Sequence, residues 1–301
     1  MNLFDVLLLS LLDGISYAGL LFLVALGLTF IFGVVRIMNV AHGSLYAFGG
    51  YGAASLGLWL GQDAGSTSLS IALLLMGAIS VGCILGTVLM LLLKQFQHRD
   101  PILQLLVTFG AFMIFEDLQR LLWGSQPYFV SDVVTNMGTS ELKGVTYTNY
   151  QLFFVPCAAV AVFVALRWFL NKTLAGKQII AVTHDREVAT ALGINAKRIA
   201  YLTFLVGAIL GALGGALASP TTSLVPGIGA DMIVLSFAVV ASAGLGQVTG
   251  ALITALMIGL ARSLCVYFAP EIEVVMPYLI MVAVLLVRPQ GLFTVVQARK
   301  I

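Results

Sequence analysis

Residues 199–230 read IAYLTFLVGAILGALGGALASPTTSLVPGIGA, 32 positions without one charged side chain. Roughly 20 apolar residues carry a helix across the hydrocarbon core of a bilayer, so this run is long enough to cross. Gly207, Gly211 and Gly215 form two consecutive G-x-x-x-G steps on one helix face. In lipid there is no hydrophobic drive between helices, and small residues that admit a close backbone are what hold a bundle together. Such a face packs either within its own chain or against a partner subunit.

Further uncharged runs occupy 14–35, 37–62, 64–93, 144–166 and 232–261. The 301 residues are 60% hydrophobic and 9% charged, where soluble domains carry about 25% charge. A soluble enzyme, a disordered chain and a peripheral protein are excluded. The composition specifies an all-α polytopic membrane protein, one transmembrane domain over 1–301. The start, MNLFDVLLLSLLDG, has no Lys or Arg ahead of its apolar stretch, which argues against a cleaved signal peptide. It is expected to be a short interfacial segment before the first span. Cys83, Cys157 and Cys265 stand singly in apolar runs and read as small hydrophobes. The net charge of +2, with its cations in short loops, leaves no nucleic-acid footprint.

Lys and Arg in short loops mark the cytoplasmic side. Arg36, Lys94 and Arg99 follow the first and third spans; Lys172, Lys177, Arg186, Lys197 and Arg198 crowd 171–199; Arg288, Arg299 and Lys300 close the chain. The opposite loops are poor in cations: 61–68 has only Asp63, 124–149 has Lys143 alone, and 263–277 has none. The N-terminus is therefore expected outside and the C-terminus inside. Spans are expected at 14–35, 39–60, 69–93, 102–123, 150–170 and 200–219, then within 229–268, then at 274–288. Parity requires two passes within 229–268, broken near Gly244-Leu245-Gly246, where Gly246 and Gly250 make another G-x-x-x-G step. Arg262 then falls inside a pass and needs a partner or a route to the interface. The count is nine, or eight with one re-entrant piece.

Signatures of intramembrane chemistry are missing: no H-E-x-x-H helix, no G-x-S-x-G turn, no paired carboxylates deep in a span. His98 and His184 fall in charged loops, and no metal site or nucleotide loop of the G-x-x-x-x-G-K-[ST] type occurs. Glu116 and Arg120, at i and i+4 near the end of the fourth span, can pair on one face, as a structural pair or as a site coupling an ion to transport. In 171–199, Asp185 suits an N-cap, Val188, Ala191 and Leu192 share a face, and Gly193 suits a terminator. The result is a two-turn amphipathic helix fit for a protein groove or for lying on headgroups. Residues 39–60 hold many polar and small groups, among them Asn39, His42, Gly43, Ser44 and Tyr46. Non-lipid-like sequence at membrane depth belongs where it is buried in protein or lines a cavity, so these five are candidates for lining a pathway. His42 can equally be a hydrogen-bonded structural residue, and Asn39 a cap.

Glu187-x-Ala189-x-x-x-Gly193 resembles the E-A-A-x-x-x-G core of the cytoplasmic coupling loop in ABC importer permeases. Asn39-Val40-Ala41-His42-Gly43 resembles the N-x-A-H-G signature of branched-chain amino acid permeases. Phe237-Ala238-Val239-Val240 leading to Gly244-Leu245-Gly246, and Arg288-Pro289-Gln290-Gly291-Leu292-Phe293, are similar to that family's later segments. The matches run in the family's order over nearly the whole chain, which looks like its shorter, LivH-like subunit. Urea and short-chain amide permeases share these motifs. The resemblance implies an ABC importer permease-type bundle in a bacterial inner membrane, working beside a longer LivM-like permease. Two ATPase subunits would hold ATP and Mg, and a periplasmic binding protein would deliver substrate. It implies no cofactor on this chain and a coupling helix carried by Asp185, Glu187, Ala189, Leu192 and Gly193; the small-residue spacing makes Gly207, Gly211, Gly215, Gly244, Gly246 and Gly250 the candidates for helix packing. The rival of another class is an ion-coupled carrier that needs no ATPase.

Overall fold

The computed structural model describes residues 3–60, 66–96, 99–142 and 144–293. Asp63, His98, Lys143, Arg299 and Lys300 lie outside them. The helices are α1 Leu3–Val35, α2 His42–Leu60, α3 Thr67–Lys94, α4 Pro101–Trp123 and α5 Asp132–Met137. A hairpin of β1 Thr139–Leu142 and β2 Val145–Thr148 precedes α6, Tyr150–Lys172, which opens on a π-helical turn. Then come α7 Leu174–His184, α8 Arg186–Ala191, α9 Ala196–Ala218, α10 Ile228–Ala243, α11 Val248–Phe268 and α12 Met276–Val287. Six of these, α1, α3, α4, α6, α9 and α11, are long and apolar enough to cross a membrane. With the shorter or more polar α2, α10 and α12, the described passes number about nine.

The break expected near Gly244 separates α10 from α11, with Gly244 and Gly246 both at positive φ. The N-terminal stretch is helically continuous with the first span, Leu3 to Val35 forming one helix of 33 residues, because nothing from Leu3 to Asp13 breaks helical geometry. One expectation is corrected. Residues 171–199 hold two helices, not one: α7 starts on Thr173, whose hydroxyl accepts from the Gly176 amide, and ends where Asp185 turns extended.

α1 is the mast of the bundle, 83% buried over its most apolar window, whereas α6 is only 17% buried and faces outward. α9 crosses α1 where Gly27 and Gly207 bring their backbones together, and crosses α2 at Gly49 against Ala212 and at Gly215 against Tyr46. The polar or charged caps on the basic face, Asp100, Thr173, Asp185 and Asn195, each accept a first-turn amide, which meets the unpaired donors of a helix start.

Two helices begin part-way through the bundle. After α1, Arg36 turns left-handed at φ 56, an uncommon backbone for a residue with a side chain. Residues 37–41 then climb back beside α4, the Val40 amide donating to Thr108 Oγ1 at 3.3 Å. His42, the first residue of α2, reaches the carbonyl of Val24, which lies about 16 Å up α1 from Val35 at 1.5 Å per residue. On the other side, 219–227 descends along α2, with Leu224 against Gly50 and a backbone bridge to Tyr128. It delivers the start of α10 to Gly43, whose carbonyl lies against Gly229. So α1–α2 and α9–α10 are built alike and inverted, and the N-termini of α2 and α10 meet inside the bundle.

Candidate functional site

The meeting of α2 with α10 gathers several buried polar side chains. Asn39, His42 and Ser44 are fully buried, and Tyr46 nearly so. His42 fits because Gly27 and Gly211 leave room for its ring, and its Nε2 lies 3.1 Å from the Val24 oxygen. Yet His42 Nδ1, both side-chain atoms of Asn39 and the Ser44 hydroxyl have no partner. Leaving a buried polar atom unmade costs about 1–3 kcal/mol each. Inverted pairs of broken helices, with their N-terminal dipoles turned toward the membrane middle, are a recurring way to build a transport site. In this conformation the five residues proposed for a pathway lie inside the chain, with Gly43 closed against α10 and the Tyr46 carbonyl against Gly215.

The glycines singled out in the sequence divide by task. Gly207, Gly211 and Gly215 pack on Ile31, His42 and Tyr46 of the same chain, and Gly250 on Phe293. Gly244 and Gly246 make the α10–α11 turn, which touches Gly33 at the end of α1. The Arg288–Phe293 motif has a structural role there: Leu292 and Phe293 donate their amides to the carbonyls of Ser242 and Ala243, tying the chain's last described residues to that turn.

On the basic face, the Asp185 carboxylate accepts from the Glu187 and Val188 amides at 2.9 and 3.0 Å. Gly193 ends this segment at φ 85, a backbone that favours glycine. Val188 and Leu192 are 54% and 78% exposed, whereas Ala189 is buried in the chain's own core. The outward surface of α8 and its C-cap therefore includes Val188, Leu192 and the Glu187 carboxylate. The Ala189 side chain serves internal packing, a direction its two-turn spacing alone did not reveal. α7 links this helix to the bundle: the Arg36 guanidinium reaches the Thr183 carbonyl at 3.5 Å, at the root of the climbing segment 37–41.

Charges in two of the passes, α4 and α11, are paired. Glu116 and Arg120 pair at 2.6 Å, with Asp117 3.4 Å from the same guanidinium. Arg262 pairs with Glu273 at 2.5 Å and lies over the Tyr17 ring at 4.1 Å. Glu273 follows a single 3-10 turn, Pro270–Ile272, that dips back beside α11; this return was not legible from charge spacing. Arg262→Met is expected to lower the thermal midpoint by the equivalent of about 1–2 kcal/mol, less than a fully buried pair would lose, since both side chains are about a quarter exposed. Arg262→Met with Glu273→Met should recover most of it, because no charge is then left alone. A double variant no better than the single would show that the ion pair is not what the site needs.

The model of the branched-chain amino acid transport system permease component matches residues 10–285. The high-affinity branched-chain amino acid transport system permease LivH of Escherichia coli strain K12 is 27% identical over 290 residues, 93% of each chain. BraD of Pseudomonas aeruginosa, named for the same transport, is 24% identical over 296 residues, 94% of each chain. Among solved structures, PsaBC from Streptococcus pneumoniae in complex with Fab superposes with a TM-score of 0.50 over 91% of this chain and 89% of that one, at 15% identity, a likeness of fold alone. The chain belongs to the permease components of branched-chain amino acid transport systems and is a membrane-embedded permease subunit of an ABC importer.

Proposed function

We propose that the chain forms half of a pathway for branched-chain amino acids and takes its energy from ATPase subunits docked on α8. The observation that carries this is the surface of α8. A helix held at one end by a doubly used aspartate presents two apolar side chains to the aqueous side beside a carboxylate. Exposed apolar residues flanked by charge suit a protein groove. Force applied there has a route inward through α7, the Thr183–Arg36 contact and segment 37–41 to the start of α2. The unsatisfied Asn39, His42 and Ser44 are then groups that gain partners when that segment moves, one packing traded for another.

In this reading the basic face is cytoplasmic, the N-terminus periplasmic and the C-terminus cytoplasmic, in the inner membrane of a bacterium. The second half of the pathway is a longer LivM-like permease, two ATPases hold ATP and Mg, and a periplasmic protein brings the substrate. The chain itself holds no cofactor. Orientation is tested in a chain whose three cysteines are replaced: a cysteine at Asn136 should react with a membrane-impermeant thiol reagent in intact cells, and one at Lys177 should resist it. The reverse pattern overturns the orientation. Energy and substrate are tested with the assembled complex in vesicles, where labelled leucine should enter only with ATP and labelled urea should not. Uptake by the permease alone on an ion gradient, or of urea in preference to leucine, would refute the reading.

A further inference from the structure

Where α3 ends and α9 begins, a cavity of about 440 Å³ is lined by Met90, Leu91, Lys94, Asn195, Lys197, Arg198 and Tyr201. Tyr201, one of the lining residues, shares a hydrogen bond of 3.0 Å with Thr87 of α3. Three cations and no carboxylate line it, and among the described residues none of the three cations is in an ion pair. Lys197 and Arg198 also occupy the first turn of α9, the positive end of the helix dipole, where cations are disfavoured and anions are held. The cavity therefore concentrates unpaired positive charge, an arrangement that suits an anion.

The other wall is apolar and continues along the bundle. Ile84, Val88 and Leu91 are 63%, 50% and 56% exposed, and their spacing of four and three residues puts them in one stripe on α3. The stripe begins at the cations and runs toward the membrane interior. Basic pockets between transmembrane helices at a membrane face suit anionic headgroups. We propose that this cavity binds one anionic phospholipid, its phosphate against Lys94, Lys197 and Arg198 and an acyl chain along Ile84, Val88 and Leu91. The continuity of charge and stripe favours a lipid over a free phosphate. Only Ile194 and Asn195 separate α9 from the segment that Gly193 closes, so the lipid would also steady the base of α8.

The test is native mass spectrometry of the purified full-length chain in neutral detergent, titrated with phosphatidylglycerol or phosphatidylcholine. One phosphatidylglycerol should be retained, and phosphatidylcholine should not. At roughly a fivefold contribution per cation near an anionic headgroup, Lys94→Gln should weaken retention about fivefold and Lys197→Gln with Arg198→Gln about thirtyfold. Lys172→Gln with Lys177→Gln, the same charge change elsewhere on the face, should leave it unaltered. Excess inorganic phosphate should not displace the lipid. Equal retention of the two lipids, equal weakening by both double variants, or displacement by phosphate would each overturn the proposal, the last by making the site one for a free anion.

Discussion

Gly43→Leu is expected to abolish accumulation of folded permease. A β-carbon at Gly43 would overlap the Gly229 carbonyl and press on the Ile233 side chain. Both helices that meet there start inside the bundle, so neither can yield without dragging its re-entrant segment. Overpacking of an ordinary core costs about 1–3 kcal/mol; with backbone as the obstacle the cost is higher, against a total of about 5–15 kcal/mol for a typical domain. Gly110→Leu is the control, since nothing lies within 4 Å of a β-carbon there, and surface changes usually stay within about 0.5 kcal/mol. Size-exclusion profiles and thermal midpoints of the detergent-extracted chains read the difference. Matching profiles for the two variants would show that α2 and α10 do not cross at this point.

The second large effect is expected at α8. Val188→Asp with Leu192→Asp should leave insertion and thermal midpoint unchanged, because both side chains are exposed, yet prevent recovery of the ATPase subunits. Interface residues that carry binding are worth about 2 kcal/mol or more each, so co-purified ATPase should fall at least about thirtyfold. Ala189→Leu should act oppositely, lowering the midpoint of the permease itself, since Ala189 is 2% exposed. Gly193→Asn should be tolerated, because asparagine accepts left-handed backbone better than other residues, whereas Gly193→Val should loosen the end of the helix. Normal ATPase recovery with the double aspartate variant would remove α8 from the coupling path.

Passes and their ends were legible because charge and apolar length report directly on what a bilayer permits. The Gly244–Gly246 break, the Glu116–Arg120 pair and the Asp185 cap all follow from spacing along one helix or turn. Depth was not legible. Nothing in Ile37–Ala41 or Ser219–Gly227 states that these segments climb back into the bundle, because that follows from which helix each glycine meets, a relation between residues far apart in sequence. The polarity of Asn39, His42 and Ser44 was the available signal, and it marked the right segment without saying what would surround it. α7 escaped notice because its sequence, LAGKQIIAVTH, mixes charge and apolar residues in a stretch already read as loop. The inward direction of Ala189 escaped because a two-turn helix of small residues has no face distinctive enough to orient it.

The seam where α1, α2, α9 and α10 touch through glycine also acts as an insulator. Backbones that leave no space for a methyl group leave none for a file of water molecules, and without water there is no wire for protons. A membrane potential of 100 mV pulls on each charge with about 2.3 kcal/mol, so a leak through a resting importer would drain the cell's energised membrane continuously. The glycine contacts leave that seam closed in this conformation, and any larger cavity opened there is expected to be felt first as a proton conductance, before it is felt as a loss of transport.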